Sequence, residues 1–243
     1  MQFTYSSYLE LIKSLRHHGY SVTNYHDWKD KERCAILRHD IDYDVDCALK
    51  LAEIEADEDI QSTYFVLLTS DFYNPHSSDV REKLKRIDAL GHEIGLHYDE
   101  LSYKDAIADE EKITNNIIYE GKILADIIGK SVSVVSMHRP SKGILDADLK
   151  IPGFINSYGY EFFHDFKYVS DSRRRWREPI DEYIGQESFD KLHILTHAFW
   201  YKKEEEDLKE TLREYISKGS IDRYSIMNKN FTKLEDVLSR EEI

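Results

Sequence analysis

The chain has 243 residues, enough for one large domain or two small ones. A chain of this size can bury about three quarters of its unfolded surface and needs no disulfide staples. Apolar residues make up 41% and aromatics 12%, which excludes intrinsic disorder, while only 10 Gly and 4 Pro exclude a collagen-like or linker-dominated chain. The 47 acidic residues against 33 basic ones leave a formal charge of -14, which repels phosphate backbones and anionic bilayers and argues against general nucleic-acid or membrane-surface binding.

Two cysteines, Cys34 and Cys47, cannot form a disulfide framework or a four-sulfur metal site. They read as small buried apolar residues in a reducing compartment. The first residues carry no basic cluster, and Glu10 breaks their longest apolar stretch, so no signal peptide is expected. No run approaches the roughly 18 apolar residues of a membrane span. The expectation is a soluble, cytoplasmic protein.

In chain order, Thr4–His17 carries Tyr8, Leu9, Leu11, Ile12 and Leu15 at helical spacing. Cys34–Leu37 is a short buried strand, and Asp44–Ala56 a helix with Val45, Ala48, Leu49, Leu51 and Ala52 on its apolar side. Ser62–Leu68 is the next strand and Val80–Leu90 the next helix, stopped by Gly91. Strands at Glu93–His97, Val132–Met137, Phe166–Ser170 and His193–Thr196 follow, with a long helix over Ala106–Ile128. The acid-rich tail from Glu204 is mostly helical, with a break expected near Lys218–Arg223. Alternating short apolar runs and amphipathic stretches predict βα units around a parallel sheet or barrel, in one continuous domain. In such folds reactive residues gather where strands end.

The strand ends carry them. After the first strand comes RHDID. Asp40 and Asp42 are two apart, so an extended chain points both carboxylates the same way. Two adjacent carboxylates repel unless a positive group lies near. A metal ion meets that need, with one carboxylate as ligand and the other taking a proton from water; a helix-capping role for Asp42 or Asp44 is the plainer alternative. GHEIGLH places His92 and His97 five apart and so on opposite faces, with His97 the better metal ligand and His92 structural. SMHRPS brings His138 and Arg139, stiffened by Pro140. SDSRRRW brings Asp171, three arginines and Trp176, and LTHAFW brings His197 before Phe199 and Trp200. A carboxylate with one or two histidines and an open position makes a hydrolytic zinc-type site, and a second acid with a further histidine supplies base and acid.

These motifs, spread from Cys34 to Trp200, resemble the polysaccharide deacetylase family, the metal-dependent carbohydrate esterases with the nodulation-deacetylase homology fold. The resemblance implies a distorted (β/α) barrel of about seven parallel strands. It implies Asp40 as catalytic base, Asp42 and His97 as metal ligands, and Arg139 as the residue that orients the base. It further implies that Asp171 supports the site from behind and that His197 is the acid protonating the leaving amine. Trp176 or Trp200 would stack on the sugar.

One departure stands out. The family's second motif normally has another histidine where this chain has Leu101, which cannot bind metal. His138 is the preferred replacement, although strand alternation then turns Arg139 outward. Asp99 or Glu100 could serve instead, or the metal has been lost. The function implied is a zinc-dependent (or nickel- or cobalt-dependent) deacetylase for an acylated sugar, within a single catalytic domain extended by a helical segment from about residue 203. A nucleotide- or lipid-linked precursor of surface polysaccharide suits the expected compartment, and the arginines near Asp171 suit its phosphates; a homo-oligomer is possible. The alternatives are an amide hydrolase acting on a small nitrogen compound such as a ureide, and an inactive carbohydrate-binding barrel.

Overall fold

The computed structural model describes residues 1–107 and 109–243. They divide into two compact units, Met1–Lys203 and Glu204–Ile243.

The first unit is built on eight parallel strands: β1 (Ser21–Thr23), β2 (Cys34–Ile41), β3 (Thr63–Leu67), β4 (Glu93–Tyr98), β5 (Val134–Met137), β6 (Ile155–Asn156), β7 (Lys167–Ser170) and β8 (Lys191–Thr196). Their order is β6-β5-β4-β3-β2-β8-β7, with β1 paired to β2, in an open sheet that curls as a distorted (β/α) half-barrel. Because every pairing is parallel, all strand C-termini lie along one edge. The sequence lacked a signal for β1 and β6, each too short to show a period.

The helices are α1 (Tyr5–His17), α2 (Val45–Asp57), α3 (Ser78–Ala89), α4 (Glu110–Ile128), α5 (Lys142–Asp146) and α6 (Ile180–Gly185). Side-chain caps start the longer ones: Thr4 accepts from the Ser7 N–H, Asp44 from Asp46 and Cys47, and Ser77 from Val80. Asp44 thus takes the capping role, leaving Asp42 free of it. The expected helix over Ala106–Ile128 begins later, at Glu110, where Asp109 caps it; Ala108, inside that expected range, lies outside the described residues.

All eight residues of β2 are buried, including Arg38, His39 and Asp40. Burial on both faces is the mark of a central parallel strand. Polar residues inside such a strand must find partners from other elements, and those partners define the site. Aromatic side chains fill the interior below them, with Tyr25, Trp28, Phe65, Phe162 and Phe166 forming one cluster with Cys34, Ile36 and Val134.

In the second unit α7 (Leu208–Asn228) runs without interruption through Lys218–Arg223, contrary to the expected break. Gly219 weakens a helix by only about 1 kcal/mol relative to Ala, too little to end one of this length. The single Tyr224 O–H lies within hydrogen-bond reach of both the Glu235 carboxylate and the Leu238 carbonyl, tying the last turns back onto α7. Among the described residues no helix is long and apolar enough to cross a membrane.

Candidate metal centre

The period of two along β2 sends Arg38, Asp40 and then Asp42 to the inner side and His39 to the outer side. On the outer side His39 contacts Glu55 at 3.0 Å and the Thr196 hydroxyl at 2.6 Å. Register completes the inner side: His97 on β4 pairs with Ser136 on β5, so His138 emerges just beyond the same edge.

Three ligand atoms meet there. His97 Nε2 and His138 Nδ1 are 3.1 Å apart, and each faces Asp42 Oδ1, at 3.3 and 3.4 Å. A tetrahedral ion bonded at about 2.0–2.1 Å spaces its ligands about 3.3–3.4 Å apart, so the triangle has the dimensions of such a site. Asp42 Oδ1 is buried without a well-formed hydrogen bond, and so is His97 Nδ1. Two imidazole nitrogens turned toward each other beside a bare carboxylate oxygen fit a divalent cation better than they fit one another. Burial pushes the Asp42 carboxyl up, but His138, His97 and His197 outweigh it and hold the group well below the usual carboxylate range. Asp42, His97 and His138 therefore form a divalent-metal triad.

The other two proposed replacements for the missing histidine are occupied elsewhere. Asp99 accepts the Leu101 N–H at 3.1 Å and pairs with Arg139. Glu100, 2% exposed, accepts from the Ser141 N–H at 2.7 Å. Leu101 itself is 50% exposed. His92 sits on the far face, accepting the Ser62 N–H at Nδ1 (3.3 Å) and donating from Nε2 to the Ala52 carbonyl (2.9 Å).

Two ionisable pairs flank the triad. Asp40 Oδ2 accepts from Arg38 Nη2 at 2.8 Å and lies 3.6 Å from His97 Nε2, whereas Asp40 Oδ1 is buried without a partner. Burial raises the Asp40 carboxyl, but Arg38, His97 and His197 bring it below its ordinary value. On the other flank Asp171, fully buried after β7, holds His197 after β8: Oδ1 accepts from His197 Nδ1 at 2.6 Å and Oδ2 from its backbone N–H at 3.1 Å. Burial opposes charge on His197, yet Asp171, Asp42 and Asp40 together lift the imidazole to about 9. His197 Nε2 then faces Asp42 Oδ2 at 3.7 Å.

Two expected contacts are corrected. Arg139 does not orient Asp40. Its backbone turns left-handed (φ 48°) and its side chain, 65% exposed, reaches Asp99 at 3.1 Å. With His138 turned inward, the next residue faces out, and the guanidinium beside Asp40 is Arg38. Sequence reasoning missed Arg38, although its place two residues before Asp40 was a signal. Trp200 is not an open platform: it is 6% exposed and packed against Phe199 (4.9 Å) and Tyr43 (5.9 Å). The three aromatics form a wall beside His197, whose ring centroid is 6.4 Å from that of Trp200. Tyr43, half-buried next to Asp42, was also missed; its ring contacts the exposed Phe72 at 5.1 Å. Trp176 is half-buried on the loop after β7, its indole N–H unpartnered.

Fold and site thus define a curled parallel α/β sheet with an Asp–His–His metal triad at its strand C-termini. No family model matches the chain, and no curated protein matches it in sequence. Among solved structures it is similar to the catalytic domain of a peptidoglycan N-acetylglucosamine deacetylase from Eubacterium rectale, at 14% identity over 80% of this chain and 87% of that one (TM-score 0.47). It is also similar to a family 4 carbohydrate esterase from Bacillus anthracis, at 17% identity over 88% and 85% (TM-score 0.43). A polysaccharide deacetylase from Bacillus cereus matches at 18% identity over 73% of this chain and 93% of that one (TM-score 0.42). These likenesses are distant and concern the fold alone.

Proposed function

We propose that the chain is a metal-dependent deacetylase that hydrolyses an N-acetyl or related acyl group on a sugar. The observation that carries this reading is the metal-sized triangle of Asp42, His97 and His138 with an ionised carboxylate on one flank and a charged imidazole on the other. When bound, a divalent ion, Zn2+ in preference to Ni2+ or Co2+ given two imidazoles and one carboxylate, supplies Lewis acidity at the acyl carbonyl and acidifies water. Every other role falls to side chains. Asp40 Oδ1, the oxygen left without a partner, takes a proton from the attacking water. His197 Nε2 gives a proton to the departing nitrogen, while Asp171, accepting from Nδ1, retains the other ring proton and holds the ring in place. The wall of Tyr43, Phe199 and Trp200 keeps water from that side of His197. Trp176 and Tyr43, both half-buried, are the rings we assign to a sugar face.

The machinery belongs to residues 1–203, with the remainder as an extension. For substrate we favour a nucleotide- or lipid-linked sugar precursor; Arg173 and Arg175 are exposed on the loop following Asp171 and suit an anionic group. The test measures bound metal and acetate release from acetamido sugars, with ureides as the competing substrates. Near-stoichiometric zinc and activity on the sugars, with turnover strongly lowered in Asp40→Asn and metal retained, supports the proposal. Absence of metal after zinc loading, or full activity of Asp40→Asn, rejects it.

A further inference from the structure

A fully buried arginine inside a barrel is costly to place, since an isolated charge there forfeits its hydration. Arg38 is 0% exposed, and its partners come from four separate segments. Nη2 donates to Asp40 Oδ2 at 2.8 Å and to Ser136 Oγ on β5 at 2.7 Å, while Nη1 donates to Ser157 Oγ, just after β6, at 2.9 Å. The guanidinium lies 5.2 Å from the Phe65 ring centroid and 5.0 Å from that of Tyr158, held between the two. With one carboxylate oxygen and two hydroxyls shared between its two Nη groups and a ring on either side, the guanidinium fills a setting that lysine cannot reproduce.

We infer that Arg38 is the positioning residue of the base: it anchors Asp40 Oδ2 and thereby presents Oδ1 as the single oxygen free to accept a proton. The inference rests on the proposed role of Asp40. Two features argue for it over a merely structural ion pair. The guanidinium is itself fixed by two hydroxyls and two rings, so it imposes a position on Asp40 rather than following it. The pairing is also asymmetric: Arg38 binds one carboxylate oxygen, and no protein group donates to the other, as a group that must accept a proton requires. A misplacement of about 1 Å at a reacting group can cost on the order of 100-fold in rate. Because Arg38 is fully buried it has no surface to offer substrate, so its loss acts on turnover rather than on binding.

The experiment measures kcat, KM and metal content of the zinc-loaded full chain for Arg38→Met, Arg38→Lys, Asp40→Asn and the Arg38→Met/Asp40→Asn double variant. Arg38→Met is expected to lose about 100-fold in kcat, with KM and zinc content little changed. Arg38→Lys should recover only part of that loss, and the double variant should be no slower than Asp40→Asn alone. A kcat near wild type in Arg38→Met, or a multiplicative loss in the double variant, overturns the inference. If Arg38→Met does not fold, Ser136→Ala/Ser157→Ala frees the guanidinium while keeping its charge, and an unchanged kcat there overturns it equally. One arm is independent of turnover: in the crystal structure of an Arg38 variant, or of the double serine variant, Asp40 should leave its wild-type rotamer. Asp40 unmoved overturns the inference, whereas an inactive wild-type enzyme strikes only at the proposed function.

Discussion

His138 Nδ1 lies 3.1 Å from His97 Nε2, so two histidines separated by 41 residues in sequence face each other across adjacent strands. Neither nitrogen pair nor carboxylate is well satisfied without a cation, which makes His138 essential to the centre. His138→Ala should weaken zinc binding by at least about 100-fold, beyond the 10–100-fold typical of groups that only support a ligand. His92→Ala should keep its zinc, because that imidazole lies on the other face between Ser62 and Ala52. Competitive zinc titration of the two variants checks both statements, and equal affinities would remove His138 from the site.

The Asp171–His197 pair sets a pH limit. The carboxylate partners of His197 outweigh the burial that opposes its charge and push its imidazole up to about 9. Its folded value is raised above the ordinary 6.5, so the stability it contributes is complete below about 6.5 and is lost as pH rises through 9. Asp171→Asn should bring the His197 titration down toward 6.5. NMR titration of the ring in both proteins reads this directly.

On the outer face of β2, Glu55 is a fully buried carboxylate that accepts from the Ser62 hydroxyl (2.6 Å), the Tyr64 hydroxyl (2.8 Å) and the Tyr8 hydroxyl (2.5 Å), beside His39. Burial raises its carboxyl, but His39, His92 and the Ser62 hydroxyl overcome this and bring it from 4.5 to about 2. A depressed carboxylate stabilises the fold above its unfolded value and ceases to do so as pH falls from about 4.5 toward 2; a shift of this size corresponds to about 3 kcal/mol. Glu55→Gln, which leaves three hydroxyls and an imidazole facing a neutral amide, should cost about 3 kcal/mol at pH 7 and about half of that or less at pH 3. Urea unfolding at the two pH values measures it.

Gly95 lies two residues before His97, where a methyl group would stand 2.5 Å from Phe65 Cε1 and 3.2 Å from the Val134 carbonyl oxygen. Phe65 covers the Arg38 guanidinium, so displacing it disturbs the support of Asp40. Gly95→Ala should destabilise by about 1–3 kcal/mol and lower kcat. Gly185→Ala, where nothing lies within 4 Å, should instead be neutral or stabilising by up to about 1 kcal/mol. Thermal unfolding of both variants decides the comparison.

Much of this molecule is determined by local rules. The apolar spacing and the capping Thr4, Asp44 and Ser77 place three helices with little freedom. Buried runs bounded by polar turns place six of the eight strands, and parallel pairing then brings their C-terminal residues to one edge. The period of two in RHDID is enough to put Asp40 and Asp42 on one side, because alternation along a strand follows from covalent geometry alone. The same rule, extended by two residues, would have placed Arg38 with them.

What the tertiary structure decided were the contacts between residues distant in sequence. The choice of Arg38 over Arg139 beside Asp40 depends on how the sheet curls and on the left-handed turn at Arg139. The completion of the triad by His138 in the absence of a histidine at position 101 depends on the register of β4 against β5. The burial of Trp200 depends on Tyr43 and Phe199 packing over it. Spacing along the chain fixes only which face a side chain takes. Which atoms meet on that face is set by strand register and packing, and these depend on the whole sheet.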